Sequence, residues 1–326
     1  MGASVIGFGM AVPDRVLANA ELEEMLDTTD EWIRTRTGIH ERRIAAPDEA
    51  TATFATAAGA QALKSAGLLP DDLDLVMVST CTPDFPVPGS APLVQNALGA
   101  ARAGAFDLNA GCTGFVYGLA TAKGYVDSGI AKYVLVCGSD TLSRITNYED
   151  RTTAVLFGDG AGAVVVGASD SGTDLGPFTF GCDGSKVDWL WQPGGGSARP
   201  ATEDSVTEGA HTIHMHGQDV YKNACDRMTE AAKEVLGDEP LDSIDLVVAH
   251  QANGRIVRTV AQRLGLTKEQ VVDNIASYGN NSAASIPIAL AEACASGRLR
   301  EGMRVLVVAF GAGFSWGAGL LTWGVS

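Results

Sequence analysis

The feature that most constrains this chain is that its two halves repeat one pattern. Asp74-Leu-Val-Met-Val is echoed by Asp245-Leu-Val-Val-Ala, 171 positions later. The same ungapped offset lays Tyr133-Val-Leu-Val-Cys on Arg304-Val-Leu-Val-Val, Asn109 on Asn280, and the helical stretch 118–122 on 289–293. Each half reads strand, helix, strand, turn, helix, strand, with the strands as short runs of β-branched residues suited to burial on both faces. The expectation is a layered α/β body with a pseudo-twofold axis, divided into halves 1–172 and 173–326. Of the 326 residues 46% are hydrophobic but only 6% aromatic. The core is therefore built from small aliphatic side chains beside glycine, which favours close helix-on-sheet packing.

Charge and targeting signals narrow the partners. A net charge of −16 excludes nucleic acid or an anionic membrane as a whole-surface partner. An anionic substrate must meet a local basic patch. No apolar run approaches the 18 or so residues of a membrane span. The N-terminus has no basic region or cleavage site, and Ile6 stands where a myristoylation signal needs Ser or Thr. The six cysteines show no CxxC pair, so a cytoplasmic protein with reduced thiols is expected.

Cys112 lies in Asn109-Ala-Gly-Cys-Thr-Gly-Phe, between an apolar run ending at Leu108 and a helical pattern through Phe115, Val116, Leu119 and Ala120. A strand-to-helix turn is predicted there, with Gly111 and Gly114 allowing close approach. A helix N-terminus favours thiolate by about 2 kcal/mol at most, which implies a partly ionised nucleophile near neutral pH. A buried structural cysteine also suits such a turn. The offset then locates the loops of the second half that converge on it: His250-Gln-Ala-Asn-Gly-Arg-Ile and Tyr278-Gly-Asn-Asn-Ser-Ala-Ala-Ser. A thiol, an imidazole (His250) and a carboxamide (Asn280) at one end of the sheets suit acyl transfer.

Other motifs carry less. Gly158-Asp-Gly-Ala-Gly lacks the spacing of a dinucleotide loop and precedes a strand, so a tight turn is expected. In His211-Thr-Ile-His-Met-His, His214 and His216 are placed on one strand face, yet no carboxylate or cysteine stands at ligand spacing. No metal site is assigned.

Together, the Cys112, His250 and Asn280 motifs with Thr29-Asp-Glu-Trp-Ile-Arg-Thr-Arg-Thr-Gly-Ile, Leu156-Phe-Gly-Asp-Gly-Ala-Gly-Ala and Phe310-Gly-Ala-Gly-Phe-Ser-Trp-Gly make the chain resemble the β-ketoacyl-acyl-carrier-protein synthase III family. The resemblance runs from the first strand to the last. It implies the five-layered αβαβα thiolase fold, itself an internal duplication, and a homodimer. It implies decarboxylative condensation of an acyl-CoA primer with malonyl-acyl-carrier protein, initiating fatty acid synthesis. No cofactor is implied; acyl-CoA is a substrate.

By the same resemblance Cys112 carries the acyl group, and His250 and Asn280 donate to the thioester oxygen of the malonyl group. The backbone of Cys112 and of the Ala312–Gly313 turn holds the oxyanion; Ala312 departs from the glycine common there. Trp32 and Arg151 would sandwich adenine, Arg36 would meet the phosphates, and Gly217 and Asn253 would line the pantetheine arm. Phe310 would close the tunnel. The cap donated across the dimer falls at Val87, with Phe85 nearby, where an aromatic is common in acetyl-preferring members; a deeper pocket would follow. Lys222, Arg255, Arg258 and Arg263 would dock the acidic carrier protein. Two other readings stay open: a starter-unit ketosynthase of a polyketide pathway, and a cysteine hydrolase with Cys, His and Asn in papain-like order.

Overall fold

In the computed structural model, which describes residues 2–169 and 173–325, two main sheets alternate with layers of helix. The first contains β1 (Gly2–Ala11), β2 (Leu75–Ser79), β3 (Gly104–Leu108), β4 (Tyr133–Thr141) and β5 (Asp159–Ser169), in the order β1-β5-β4-β2-β3. The second contains β6 (Leu175–Cys182), β7 (Leu246–Ala249), β8 (Arg304–Gly311) and β9 (Ser315–Thr322), in the order β7-β8-β9-β6.

The duplication extends to hydrogen-bond register. Strands β2 and β4 are parallel with Leu75 opposite Val134; β7 and β8 are parallel with Leu246 opposite Val305, each residue 171 positions on. In both sheets the next two pairings are antiparallel. The fifth strand of the first sheet is reduced in the second to a single parallel bridge, Val247 to Val271. The boundary predicted after residue 172 falls on a segment outside the described residues.

The helices that build the layers are α1 (Asp30–Thr37), α2 (Thr51–Ala66), α3 (Ser90–Leu98), α4 (Gly114–Asp127), α5 (Gly217–Leu236), α6 (Gly254–Leu264) and α7 (Ser285–Ala295). Side chains alternate along β8: Val305, Val307 and Ala309 join α4 and α7 in the central core, while Leu306, Val308 and Phe310 face α5 and α6. On β4, Val134 and Val136 face inward and Leu135 and Cys137 outward against α2 and α3. Period-2 alternation thus sends each strand's apolar residues to two cores. The result is five layers: α2 and α3, a sheet, α4 with α7, a sheet, α5 with α6.

Glycines set how close the central helices come. A Cβ at Gly162 would lie 2.6 Å from the Ile288 nitrogen, and one at Gly138 would lie 2.3 Å from the Ala283 carbonyl oxygen. The stretch Gly158-Asp-Gly-Ala-Gly is therefore not the predicted turn. It runs into β5, and its small residues make room for α7. No helix among the described residues is long and apolar enough to cross a membrane.

Candidate active site

Two equivalent turns meet where the halves join. After β3, the Asn109 Oδ1 accepts from the Gly111 N–H at 3.3 Å, and a single 3-10 turn, Gly111–Thr113, leads into α4. In the second half the Asn280 Oδ1 accepts from the Ser282 N–H at 2.9 Å, and the turn Ser282–Ala284 leads into α7. Asn280 is fixed further by its N–H donating to the Leu156 carbonyl (2.9 Å) and its carbonyl accepting from the Gly158 N–H (3.0 Å). With Oδ1 engaged, Nδ2 is the donor end of the carboxamide.

His250 follows β7, its N–H donating to the Val308 carbonyl at 2.8 Å. Its Nδ1 lies 2.6 Å from the Ser285 Oγ, which also accepts from the Gln251 N–H at 3.3 Å. The hydroxyl can give its own proton to Nδ1, the arrangement in which Nε2 is protonated and able to donate. Burial pushes the His250 pKa down to about 3, so the ring is neutral.

Cys112 is held by the β8–β9 turn. A Cβ at Gly311 would lie 2.8 Å from the Cys112 nitrogen, so only glycine permits this approach. The Ser315 hydroxyl, 2.9 Å from the Thr113 hydroxyl, donates to the Ala110 carbonyl at 3.2 Å and pins the two turns together. Ala312 and Ser282 line the cavity together with Cys112, and the N–H groups of Cys112 and Ala312 and the Ser282 hydroxyl favour the thiolate. Ala312 keeps an ordinary backbone; Ser282 is the non-glycine residue with positive φ among the described residues.

Burial nevertheless pushes the Cys112 thiol up to about 11. This corrects the expectation of a partly ionised nucleophile. The thiol opens only into the cavity, and loss of water around the thiolate outweighs the helix end and the donors. The resting pair is a neutral thiol and a neutral imidazole.

A cavity of about 770 Å³ joins these groups. Cys112, His250, Asn280, Ala312 and Gly313 line it, as do Gly217, Asn253 and Phe310. The buried Leu142, Leu156 and Phe157 give it an apolar wall. The Asn253 side chain also caps α6, accepting from the Arg255 N–H at 2.9 Å.

The remaining predicted residues lie away from that lining. The Arg151 guanidinium stands 5.0 Å over the Trp32 ring and donates to the Asp27 carbonyl at 2.7 Å; Arg36 is exposed on α1. Phe85 and Val87 are 52% and 88% exposed on this single chain. Lys222, Arg255 and Arg258 are exposed on α5 and α6, Arg255 lying over the Tyr221 ring, whereas Arg263 pairs with Asp226 at 2.7 Å. His214 and His216 do not share a strand face: the strand is only His214–Met215, and His216 caps α5 and stacks on Trp189. Among the described residues no cluster of three or more His, Cys, Asp or Glu could hold a metal.

Sequence reasoning passed over Ser282 and Ser285. The repeat held a signal for the first: Ser282 falls on Gly111 at the 171-residue offset, so the second half carries a hydroxyl where the first carries none.

Comparison with known proteins follows the same lines. Residues 106–184 match the family described as 3-oxoacyl-[acyl-carrier-protein] synthase III, and residues 239–323 match its C-terminal part. The chain is 48% identical to the β-ketoacyl-[acyl-carrier-protein] synthase III of Caldanaerobacter subterraneus subsp. tengcongensis, over 99% of this chain and 98% of that relative. The 3-oxoacyl-[acyl-carrier-protein] synthase III of Aquifex aeolicus superposes with a TM-score of 0.91 at 44% identity, covering 99% of this chain and 100% of that one. The priming β-ketosynthase of the R1128 polyketide pathway superposes with a TM-score of 0.92 at 36% identity, covering 99% and 97%.

Proposed function

The chain belongs to the β-ketoacyl-[acyl-carrier-protein] synthase III family, and from that premise we propose that Cys112, His250 and Asn280 divide its reaction between them. The protein is an acyltransferase of the thiolase fold. It condenses an acyl-CoA primer with malonyl-acyl-carrier protein, releasing CO2 and giving the 3-oxoacyl product that initiates fatty acid synthesis.

In the first half-reaction the Cys112 sulfur attacks the acyl-CoA carbonyl and CoA leaves. The N–H groups of Cys112 and of the Ala312–Gly313 turn stabilise the oxyanion. Thioester-to-thioester exchange is nearly balanced in energy, which suits a cysteine. In the second, the malonyl group loses CO2, and the Nε2–H of His250 and the Nδ2 of Asn280 donate to its thioester oxygen as enolate charge develops. One well-placed donor of this kind is worth about 3–4 kcal/mol. The carbanion then attacks the acyl group on Cys112. Side chains and substrates supply every group this scheme requires.

The observation that carries the reading is the convergence of a thiol from one half and an imidazole and carboxamide from the other on a single cavity. The test separates the half-reactions. Cys112→Ala is expected to decarboxylate malonyl-carrier protein without forming a carbon–carbon bond. His250→Ala and Asn280→Ala are expected to lose decarboxylation and keep some acyl transfer. Equal loss of both steps in all three variants would reject this division of roles.

The finer assignments follow from the same reading. Adenine enters between Trp32 and Arg151, which requires Arg151 to leave the indole face and the Asp27 carbonyl; Arg36 meets the phosphates. Phe310 closes the tunnel, and Gly217 and Asn253 flank the pantetheine. The outer edge of β3 carries part-exposed Ala105, Phe106 and Leu108, and the exposed Phe85 and Val87 belong to the same half. An open sheet edge with apolar neighbours suits pairing with a second copy, so the protein acts as a homodimer with Val87 capping the partner's pocket. The acidic carrier protein docks on Lys222, Arg255 and Arg258, with Arg263 held by Asp226. The compartment is the cytoplasm, where cysteines such as these, none of them in a disulfide, stay reduced. A second reading, priming of a polyketide pathway, is favoured by the likeness to the R1128 ketosynthase. Mass spectrometry of Cys112 after exposure to a panel of acyl-CoAs would separate the two by the primers accepted.

A further inference from the structure

His250 and Asn280 stand on separate loops, and hydrogen bonds tie both loops to one helix. Ser285 opens α7, and its Oγ lies 2.6 Å from the His250 Nδ1. Glu292 comes seven residues later on the same helix, about two turns on, and so shares that face. Its Oε2 accepts from the Asn274 Nδ2 at 2.8 Å, and its Oε1 accepts from the Tyr278 hydroxyl at 3.2 Å. These partners mark the two ends of the single helical turn Ile275–Tyr278, with Asn274 as its N-cap. Through Gly279 that turn runs directly into Asn280.

A further bond closes the circuit. Gln251, the neighbour of His250, is 1% exposed, and its Nε2 donates to the carbonyls of Ala249 (2.8 Å) and Val272 (3.2 Å). The oxygen end of the amide is then the acceptor, and it takes the Asn274 N–H at 3.3 Å. The path from His250 through Ser285, α7, Glu292, Asn274 and Gln251 returns to its start. One helical turn has no stability of its own. This one is held from outside by the His40 N–H, which donates to the Ala276 carbonyl at 3.0 Å, and by Glu292 at both ends.

We propose that Glu292 is a positioning residue for the second half-reaction. By gripping both ends of the turn Ile275–Tyr278, it sets where the Asn280 carboxamide stands relative to His250. Glu292 is half-buried on α7 and does not line the cavity, so it acts only through Asn280. The inference rests on the reading that Asn280 donates to the malonyl thioester oxygen. Acylation of Cys112 uses backbone donors instead, so the two half-reactions should respond differently.

Separate assays of those half-reactions test this. Glu292→Ala takes the acceptor from Asn274 and Tyr278, and decarboxylation of malonyl-carrier protein should fall about 10–100-fold, in kcat rather than KM. Acyl-enzyme on Cys112, followed by mass spectrometry with acetyl-CoA, should form at close to the wild-type rate. Glu292→Gln keeps an oxygen for Asn274, and its amide N–H can donate to the Tyr278 hydroxyl, which is also an acceptor. It should restore most of the decarboxylation rate. In an Asn280→Ala background, Glu292→Ala should lower the remaining rate no further. Unchanged decarboxylation in Glu292→Ala, equal loss of acylation, no rescue by Glu292→Gln, or an independent loss in the Asn280→Ala background overturns the proposal. Where Glu292→Ala does not fold, Tyr278→Phe removes one of the two bonds and must show the same split, smaller in size. Full decarboxylation by Asn280→Ala alone would instead reject the reading of the site.

Discussion

Gly111 and Ser282 stand 171 residues apart and share one backbone conformation, with φ of 53° and 49°. The N–H of each donates to the Oδ1 of the asparagine two residues earlier, and each opens the turn that launches a central helix. One half meets the left-handed requirement with glycine. The other meets it with serine and so adds a hydroxyl-bearing residue to the cavity that Cys112 lines.

A left-handed conformation costs an L-residue about 1–2 kcal/mol. Ser282→Gly and Ser282→Ala both delete the hydroxyl, but only the first relieves the backbone. The glycine variant is expected to be more stable by about 1 kcal/mol in urea unfolding. Equal stability would show that the turn bears no strain.

Ser285 governs which nitrogen of His250 carries the proton. Ser285→Ala frees Nδ1 and lets the ring take either tautomer. Decarboxylation of malonyl-carrier protein is expected to fall about 10–100-fold, the loss seen when a group that orients a metal-bound histidine is removed. Formation of the acyl-enzyme should change much less. Loss of acylation to the same degree would contradict a role confined to the tautomer.

Burial of His250 makes stability depend on acid. Its folded pKa of about 3 lies below the ordinary 6.5, so the unfolded chain binds more protons between these values. The contribution of the neutral ring is complete above about pH 6.5 and is lost as pH falls towards about 3, by up to about 5 kcal/mol. Unfolding free energies measured across this window should fall more steeply in the wild type than in His250→Asn. Parallel curves would show that His250 titrates normally in the fold.

Arg255 is exposed on α6, is not itself among the cavity-lining residues, and lies over the ring of Tyr221, which is. Arg255→Glu is expected to leave acylation by acyl-CoA unchanged and to raise the KM for malonyl-carrier protein about tenfold. The difference should shrink at high salt. A matching defect in acylation would place Arg255 in CoA binding instead.

Gly138 faces the Ala283 carbonyl so closely that any side chain must displace it. Gly138→Ala is expected to cost about 3 kcal/mol or more and to abolish condensation by shifting the turn that carries Asn280. Retained activity in a folded variant would show that this turn can move without loss.

The chain order alone determined the repeat, the strand and helix pattern, and the three groups Cys112, His250 and Asn280, because an ungapped offset carries one half's landmarks onto the other. Local spacing also disclosed the turn before α4. Charge state was decided only by tertiary structure. A helix N-terminus is readable in sequence and argues for thiolate, whereas the burial that pushes Cys112 up to about 11 and His250 down to about 3 arises from residues distant in the chain. The Ser285 contact to His250 and the Glu292 contacts to Asn274 and Tyr278 likewise join segments 14 to 35 positions apart. The glycines of 158–162 suggested a turn because sequence exposes their flexibility; their role, admitting α7 against β5, depends on a helix more than a hundred residues away. Periodicity records what each segment does locally, and solvation and close contact are properties of the assembled layers.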